Sequence, residues 1–115
     1  MTHHQNQDTR ACIEACQSCH EVCIATTTYC LTHGGKHAAV DHIRTLTDCV
    51  QMCETSADFM LRESELHAHV CDACADICEQ CAASCGQLDG AEMKRCADEC
   101  RRCAEQCRAM ARAAA

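Results

Sequence analysis

Sixteen of the 115 residues are cysteine, and they recur at helical spacing. Cys12, Cys16, Cys19, Cys23 and Cys30 step by 4, 3, 4 and 7. Cys71, Cys74, Cys78, Cys81 and Cys85 step by 3, 4, 3 and 4, Cys96, Cys100, Cys103 and Cys107 by 4, 3 and 4, and Cys49 and Cys53 form a shorter fourth set. At about 3.6 residues per turn, such steps return each side chain to one helical face. A bundle ordinarily places Leu and Ile there. Thiols in their stead predict an interior lined with sulfur, which suits a soft metal ion better than it suits packing.

Extending each line by steps of 3 and 4 shows what replaces cysteine near its ends. The first line passes Thr26 and reaches His33. The second runs back from Cys49 through Leu46 to His42, and forward through Ser56 to Met60. Upstream of Cys71 stands His67. The last line passes Met93 before Cys96 and ends at Met110. Imidazole and thioether groups are also soft-metal ligands, and His42 and Met93 join the sixteen cysteines as candidate metal ligands.

The chemistry favours Cu(I). Thiolates and thioethers select it over hard cations, and a tube of thiols can hold a row of ions, roughly one per cysteine. Each bound thiol must lose its proton. One Cu⁺ then replaces one H⁺, and the interior gains no net charge. Filling the same tube with Zn²⁺ would bury uncompensated positive charge at great cost. Zinc in tetrahedral Cys₄ islands would fit at most about four ions. Multiple Cu(I) ions per chain are therefore the expected cargo.

The breakers place these lines on four helices. Asp8 or Thr9 can cap a first helix running to about His33, where Gly34-Gly35 ends it. A second runs from about Lys36 to Leu61 and a third from near Ser64 to Gly86. The fourth follows Asp89-Gly90 and reaches the Ala-rich C-terminus. No Gly or Pro separates the second and third. The break is placed there because one helix of about 50 residues is abnormal in a globular domain. Short connections imply antiparallel neighbours, hence an all-α, up-down-up-down four-helix bundle. Residues 1–115 read as one domain, with 1–7 as a disordered tail holding His3 and His4.

Antiparallel alternation gathers His33, His42, Cys30, Cys85 and Met93 at one end, the expected mouth. The other end collects Cys12, Met60, Leu66, His67, Cys107 and Met110, with Phe59 and Leu61 nearby, and reads as closed. Met52, Met60 and Met110 read as gap fillers. His20 and His37 read as surface histidines, and His69, two residues before Cys71, as outward-facing.

Composition agrees. Proline is absent, and Tyr29 and Phe59 are the aromatics. Large aliphatics are few, so their core would be thin and thiols must fill part of it. The formal charge of −7 argues against nucleic acid as a partner. No segment approaches the roughly 20 apolar residues of a membrane span. The polar start lacks a secretory signal's apolar core, so the chain reads as cytoplasmic. In a reducing compartment sixteen cysteines stay thiols.

Seven Cys-x-x-x-Cys steps carry a family resemblance: Cys12–Cys16, Cys19–Cys23, Cys49–Cys53, Cys74–Cys78, Cys81–Cys85, Cys96–Cys100 and Cys103–Cys107. On four helices, from about Asp8 to Ala111, the chain resembles the copper storage proteins of bacteria, the cytosolic branch in particular. The resemblance implies a four-helix bundle that stores many Cu(I) ions on inward thiolates, and a homo-oligomer, a tetramer of bundles. The second helix has only two cysteines, and His42 and Met93 stand on positions that could be Cys. The departures bear on ion count and portal.

Rival readings remain. A metallothionein-like buffer would hold Zn(II) or Cd(II) in Cys₄ sites. A disulfide-stapled helical hairpin needs about four cysteines and an oxidising compartment. Ferredoxin-type runs sit on loops with a following Pro, which this chain lacks. No cysteine pairs with His and Asn or Asp in triad-like order, so no enzyme is expected.

Overall fold

The computed structural model describes residues 6–113. Four helices follow in order: α1 (Gln7–His33), α2 (Val40–Leu61), α3 (His67–Gly86) and α4 (Ala91–Ala113), with a 3₁₀ turn at Gly35–Ala38 between the first two. Each helix packs on its two neighbours in a ring, α1 on α2, α2 on α3, α3 on α4 and α4 on α1. Diagonal helices do not touch at the backbone, which leaves a central column for side chains. The bundle measures 53 × 22 × 20 Å. The expected antiparallel four-helix architecture is the one observed.

The boundaries differ from expectation where backbone conformation decides them. Asn6, not Asp8 or Thr9, caps α1: its side-chain oxygen accepts from the Thr9 N–H at 2.8 Å. Gln7 is already helical, and residues 1–5, with His3 and His4 of the expected tail, lie outside the described residues. Gly34, at φ 78°, ends α1 and donates to the Cys30 carbonyl. The residues after it make a 3₁₀ turn, so α2 starts at Val40 rather than Lys36.

The α2–α3 break needs no glycine. Glu63 sits at φ 56°. Its N–H donates to the Met60 carbonyl at 3.1 Å, and the Ser64 N–H to that of Phe59 at 2.9 Å. These two bonds form a Schellman cap. A non-glycine residue takes the left-handed position, at a cost of roughly 1–2 kcal/mol. Ser64 lies in the turn that follows, and α3 starts at His67.

Small residues let the helices close on the column. Ala75 and Ala82 of α3 and Ala97 and Ala104 of α4 are buried beside the cysteines. Outside, Arg108 binds Asp76 at 2.9 Å and Glu79 at 2.8 Å, fastening α4 to α3. Ser18 donates to Glu99 at 2.8 Å between α1 and α4. These exposed contacts contribute little each, so register rests mainly on the core. Of the large branched aliphatics, only Ile13 and Leu46 are fully buried there among the described residues. The rest is thiol, methionine and alanine.

Candidate metal centre

All sixteen cysteines are free, and all are 0% exposed. Their burial follows from the 3–4 spacing, which turns each Sγ toward the column from its own helix. Neighbouring sulfurs lie 3.6–3.9 Å apart across helices, as in Cys16–Cys107 at 3.6 Å, Cys53–Cys78 at 3.7 Å, Cys23–Cys100 at 3.7 Å and Cys19–Cys49 at 3.9 Å. A disulfide needs about 2.05 Å. Several sulfurs also have more than one partner at similar range, which specifies no unique bridge.

Five groups of thiols have sulfurs within 4.8 Å of one another: Cys12/Cys71/Cys107, Cys16/Cys74/Cys103/Cys107, Cys19/Cys53/Cys78/Cys103, Cys19/Cys23/Cys49/Cys100 and Cys23/Cys81/Cys96/Cys100. Consecutive groups share members. Cys107, Cys103, Cys19, Cys23 and Cys100 each belong to two. The groups thus form one connected ladder along the column, not separate islands. For a metal–sulfur bond of about 2.3 Å, one ion reaches two sulfurs up to about 4.6 Å apart. The 3.6–3.9 Å contacts fall inside that reach, so one ion can join two helices and one thiolate can touch two ions.

Proton sharing gives the ladder its electrostatics. Cys103 points its S–H at Cys16 at 3.7 Å. That contact leads the causes holding Cys16 down at about 5. Cys103 also leads for Cys74 and Cys107, both near 2, and its own thiol is pushed up as the donor to its neighbours. Cys71, at the end of the ladder, is pushed up to about 12, first by its contact with Cys107. Sharing a proton thus eases its loss from one thiol and hinders it from the neighbour, and a soft cation takes the sulfur that gives its proton up.

Cys30 and Cys85 belong to none of the five groups. Cys30 forms a mixed site with the two seam residues that are not cysteine. Its Sγ lies 3.4 Å from His42 Nε2 and 3.6 Å from Met93 Sδ. Ser84 Oγ meets His42 Nδ1 at 2.6 Å, which aims Nε2 at the thiol. Burial first, and then the charges of Cys96 and Cys81, push the Cys30 thiol up to about 11. Burial also lowers the His42 pKa, keeping the neutral, ligating form. The expected mouth therefore comes together as a thiol, an imidazole and a thioether.

Other expectations were revised. His33 is exposed and stacks on His37, ring centroids 4.0 Å apart, outside the column. His37 is buried and meets the Asp89 carbonyl at 3.1 Å, and His20 meets the Val50 carbonyl at 2.9 Å. Both tie helices or loops together instead of facing solvent. His69 is exposed, as expected. Leu61 and Leu66, expected to plug the far end, are 44% and 59% exposed. Met60 and Met110, 2% and 6% exposed, close that end instead, and a surface pocket of about 280 Å³ lined by Met60 and His67 among others lies beside them.

Comparison with known proteins fits this geometry. A family model described as "Copper storage protein" matches residues 5–112. The Nmul_A1745 protein from Nitrosospira multiformis superposes with a TM-score of 0.91 at 45% identity, covering 95% of this chain and 99% of that one. A Cu(I)-bound copper storage protein, BsCsp3, superposes with a TM-score of 0.86 at 39% identity, covering 91% and 99%. Over 70 residues the chain is 39% identical to an uncharacterized cysteine-rich protein, YhjQ, of Bacillus subtilis (strain 168). That match covers 61% of this chain and 65% of the relative, just under two thirds of its length.

Proposed function

As this chain belongs to the copper storage protein family, we propose that its thiol column stores multiple Cu(I) ions, bound by cysteine thiolates and taken up through the Cys30/His42/Met93 mouth. The connected ladder of five thiol groups carries this reading. Isolated Cys₄ sites would suit zinc, whereas shared sulfurs suit a monovalent ion that bridges thiolates and trades one charge for one proton. The activity is binding and release, with no catalytic step. The test is an anaerobic titration of reduced protein against a coloured Cu(I) chelator, then with Zn(II). Uptake should approach one Cu(I) per cysteine, on the order of sixteen, with much less zinc. About four tight zinc ions and few coppers would return the column to Cys₄ buffering.

All sixteen cysteines, with His42 and Met93, are the proposed ligands. Free thiols in this number favour a reducing compartment, which supports a cytoplasmic location. No helix among the described residues is long and apolar enough to cross a membrane. Exposed Ile24, Leu31 and Val40 on the outside of α1 and α2 offer apolar area to a second bundle, in keeping with a homo-oligomer, a tetramer by family.

Acid should weaken binding at the mouth site. The Cys30 pKa is raised to about 11, so its thiol is protonated at neutral pH and Cu(I) must displace that proton. Conditional affinity at this site then falls about tenfold per unit of pH lowered, because one proton competes for one ligand. Titrations at several pH values, wild type against Cys30→Ser, isolate the step. A pH-independent difference between the two proteins would show that Cys30 gives up no proton to the ion.

A further inference from the structure

The geometry points to a second Cu(I) portal at the opposite end of the bundle, formed by Met60 and His67 and feeding the Cys12/Cys71/Cys107 group. The inference rests on the storage reading above and adds a second route into the same column. Three independent observations carry it.

First, a surface pocket lies over this end, with Met60, only 2% exposed, between it and the thiols. The cavity of about 280 Å³ reaches from Asn6 and Thr9 on α1 to Met60 at the close of α2 and His67 at the start of α3. The leucines that would cap it point to solvent. Second, soft ligands on the same track as the thiols stand at it, Met60 in its lining and Met110 against the lining residue Thr9. Met60 continues the inward face of α2 after Cys49, Cys53 and Ser56, and is 2% exposed. Met110 continues α4 after Cys103 and Cys107, and its Sδ lies 3.8 Å from Thr9 Oγ1 at the cavity wall. Third, His67 is fixed in one tautomer. Its Nδ1 lies 2.9 Å from the Ser64 carbonyl oxygen. A carbonyl only accepts, so Nδ1 carries the hydrogen and Nε2 keeps its lone pair for a metal.

The chemistry of transfer follows. Thioether and neutral imidazole bind Cu(I) without losing a proton, so they can take the ion and pass it on. Glu63 and Glu65 at the rim add negative potential that draws a cation inward. Beneath stands the three-thiol end of the ladder, with Cys12 and Cys107 3.8 Å apart. There Cu⁺ replaces a thiol proton, which leaves to solvent, and the ion is committed to the column. The mouth at Cys30 works in the same sequence, with His42 and Met93 in the places of His67 and Met60.

Two measurements on the full chain test the portal. In anaerobic stopped-flow loading from a Cu(I) chelator, Met60→Leu with His67→Gln should cut the loading rate roughly in half while capacity falls by no more than about one ion. His42→Gln with Met93→Leu should do the same, and the four changes together should slow loading at least about tenfold. Wild-type loading in the far-end variant, with the whole slowing already present in the mouth variant, overturns the second portal. The other measurement uses the wild-type fold: ¹⁵N NMR of the histidine rings on adding one equivalent of Ag(I). The His67 Nε2 resonance should move along with that of His42. If only His42 responds, the far end takes no metal. A wild-type protein that loads no Cu(I) would instead remove the storage reading, and the Ag(I) response of His67 would still decide the site.

Discussion

Filling with Cu(I) raises the thermal midpoint of this protein by on the order of 20 °C or more. The apo core explains why the gain is large. It holds sixteen thiols and only two fully buried branched aliphatics, Ile13 and Leu46. A buried thiol packs as a small hydrophobe, without the methyl groups of Leu. Loaded, the same sulfurs become ligands that join helices: Cys19 and Cys23 of α1, Cys49 of α2 and Cys100 of α4 surround one group. A single site filled at a thousand times its dissociation constant contributes about 4 kcal/mol, and many sites add. Part of this is lost because the unfolded chain's thiols also bind Cu(I). What remains is the preference for a preformed column, where about 1 kcal/mol is worth about 4 °C in a domain of this size. Calorimetry or circular dichroism of apo and loaded protein under anaerobic conditions measures the difference. Equal midpoints would place the copper on the surface or in the unfolded chain.

Much of this was legible in the sequence, because a 3–4 step is a statement about one helix. Such steps fixed the inward face of each element, placed His42 and Met93 at the same end as Cys30, and kept His69 outside. Features that depend on backbone conformation were less visible. Glu63 ends α2 in a left-handed conformation that glycine ordinarily supplies, so nothing in Leu61–Glu65 announced where the helix stops. The 3₁₀ turn at Gly35–Ala38 likewise delays α2. That turn carries His37 inward to the Asp89 carbonyl, where composition alone suggested a surface residue. At the far end, hydrophobicity predicted a closed end, and Met60 and Met110 are buried there without the two leucines. Leu61 is the last residue of α2 and Leu66 lies just before α3; neither stands on an inward track, and both face solvent. Hydrophobicity says what a residue would gain by burial, while the cap geometry decides which way it points.

The sharing of thiols between groups was invisible to single-helix periodicity, since it depends on the register of four helices. It sets a capacity effect larger than one ion for one ligand. Cys103→Ser should lower Cu(I) capacity by about two or more, whereas Cys85→Ser should lower it by at most about one. Cys103 belongs to both the Cys16/Cys74/Cys107 and the Cys19/Cys53/Cys78 groups, and its S–H donates to Cys16, which lowers the Cys16 pKa. Its loss removes a ligand from two adjacent sites and leaves a hydroxyl, a harder and poorer ligand, at the junction. Cys85 is equally buried but stands in none of the five groups. Parallel anaerobic titrations of the two variants make the comparison, with helical content checked by circular dichroism. A folded Cys103→Ser protein that loses no more capacity than Cys85→Ser would mean that ions sit singly along the column, each with its own ligands. A surplus loss at Cys103 would mean that neighbouring ions share its sulfur, so the number of ions held depends on how the cysteines are connected as well as on how many there are.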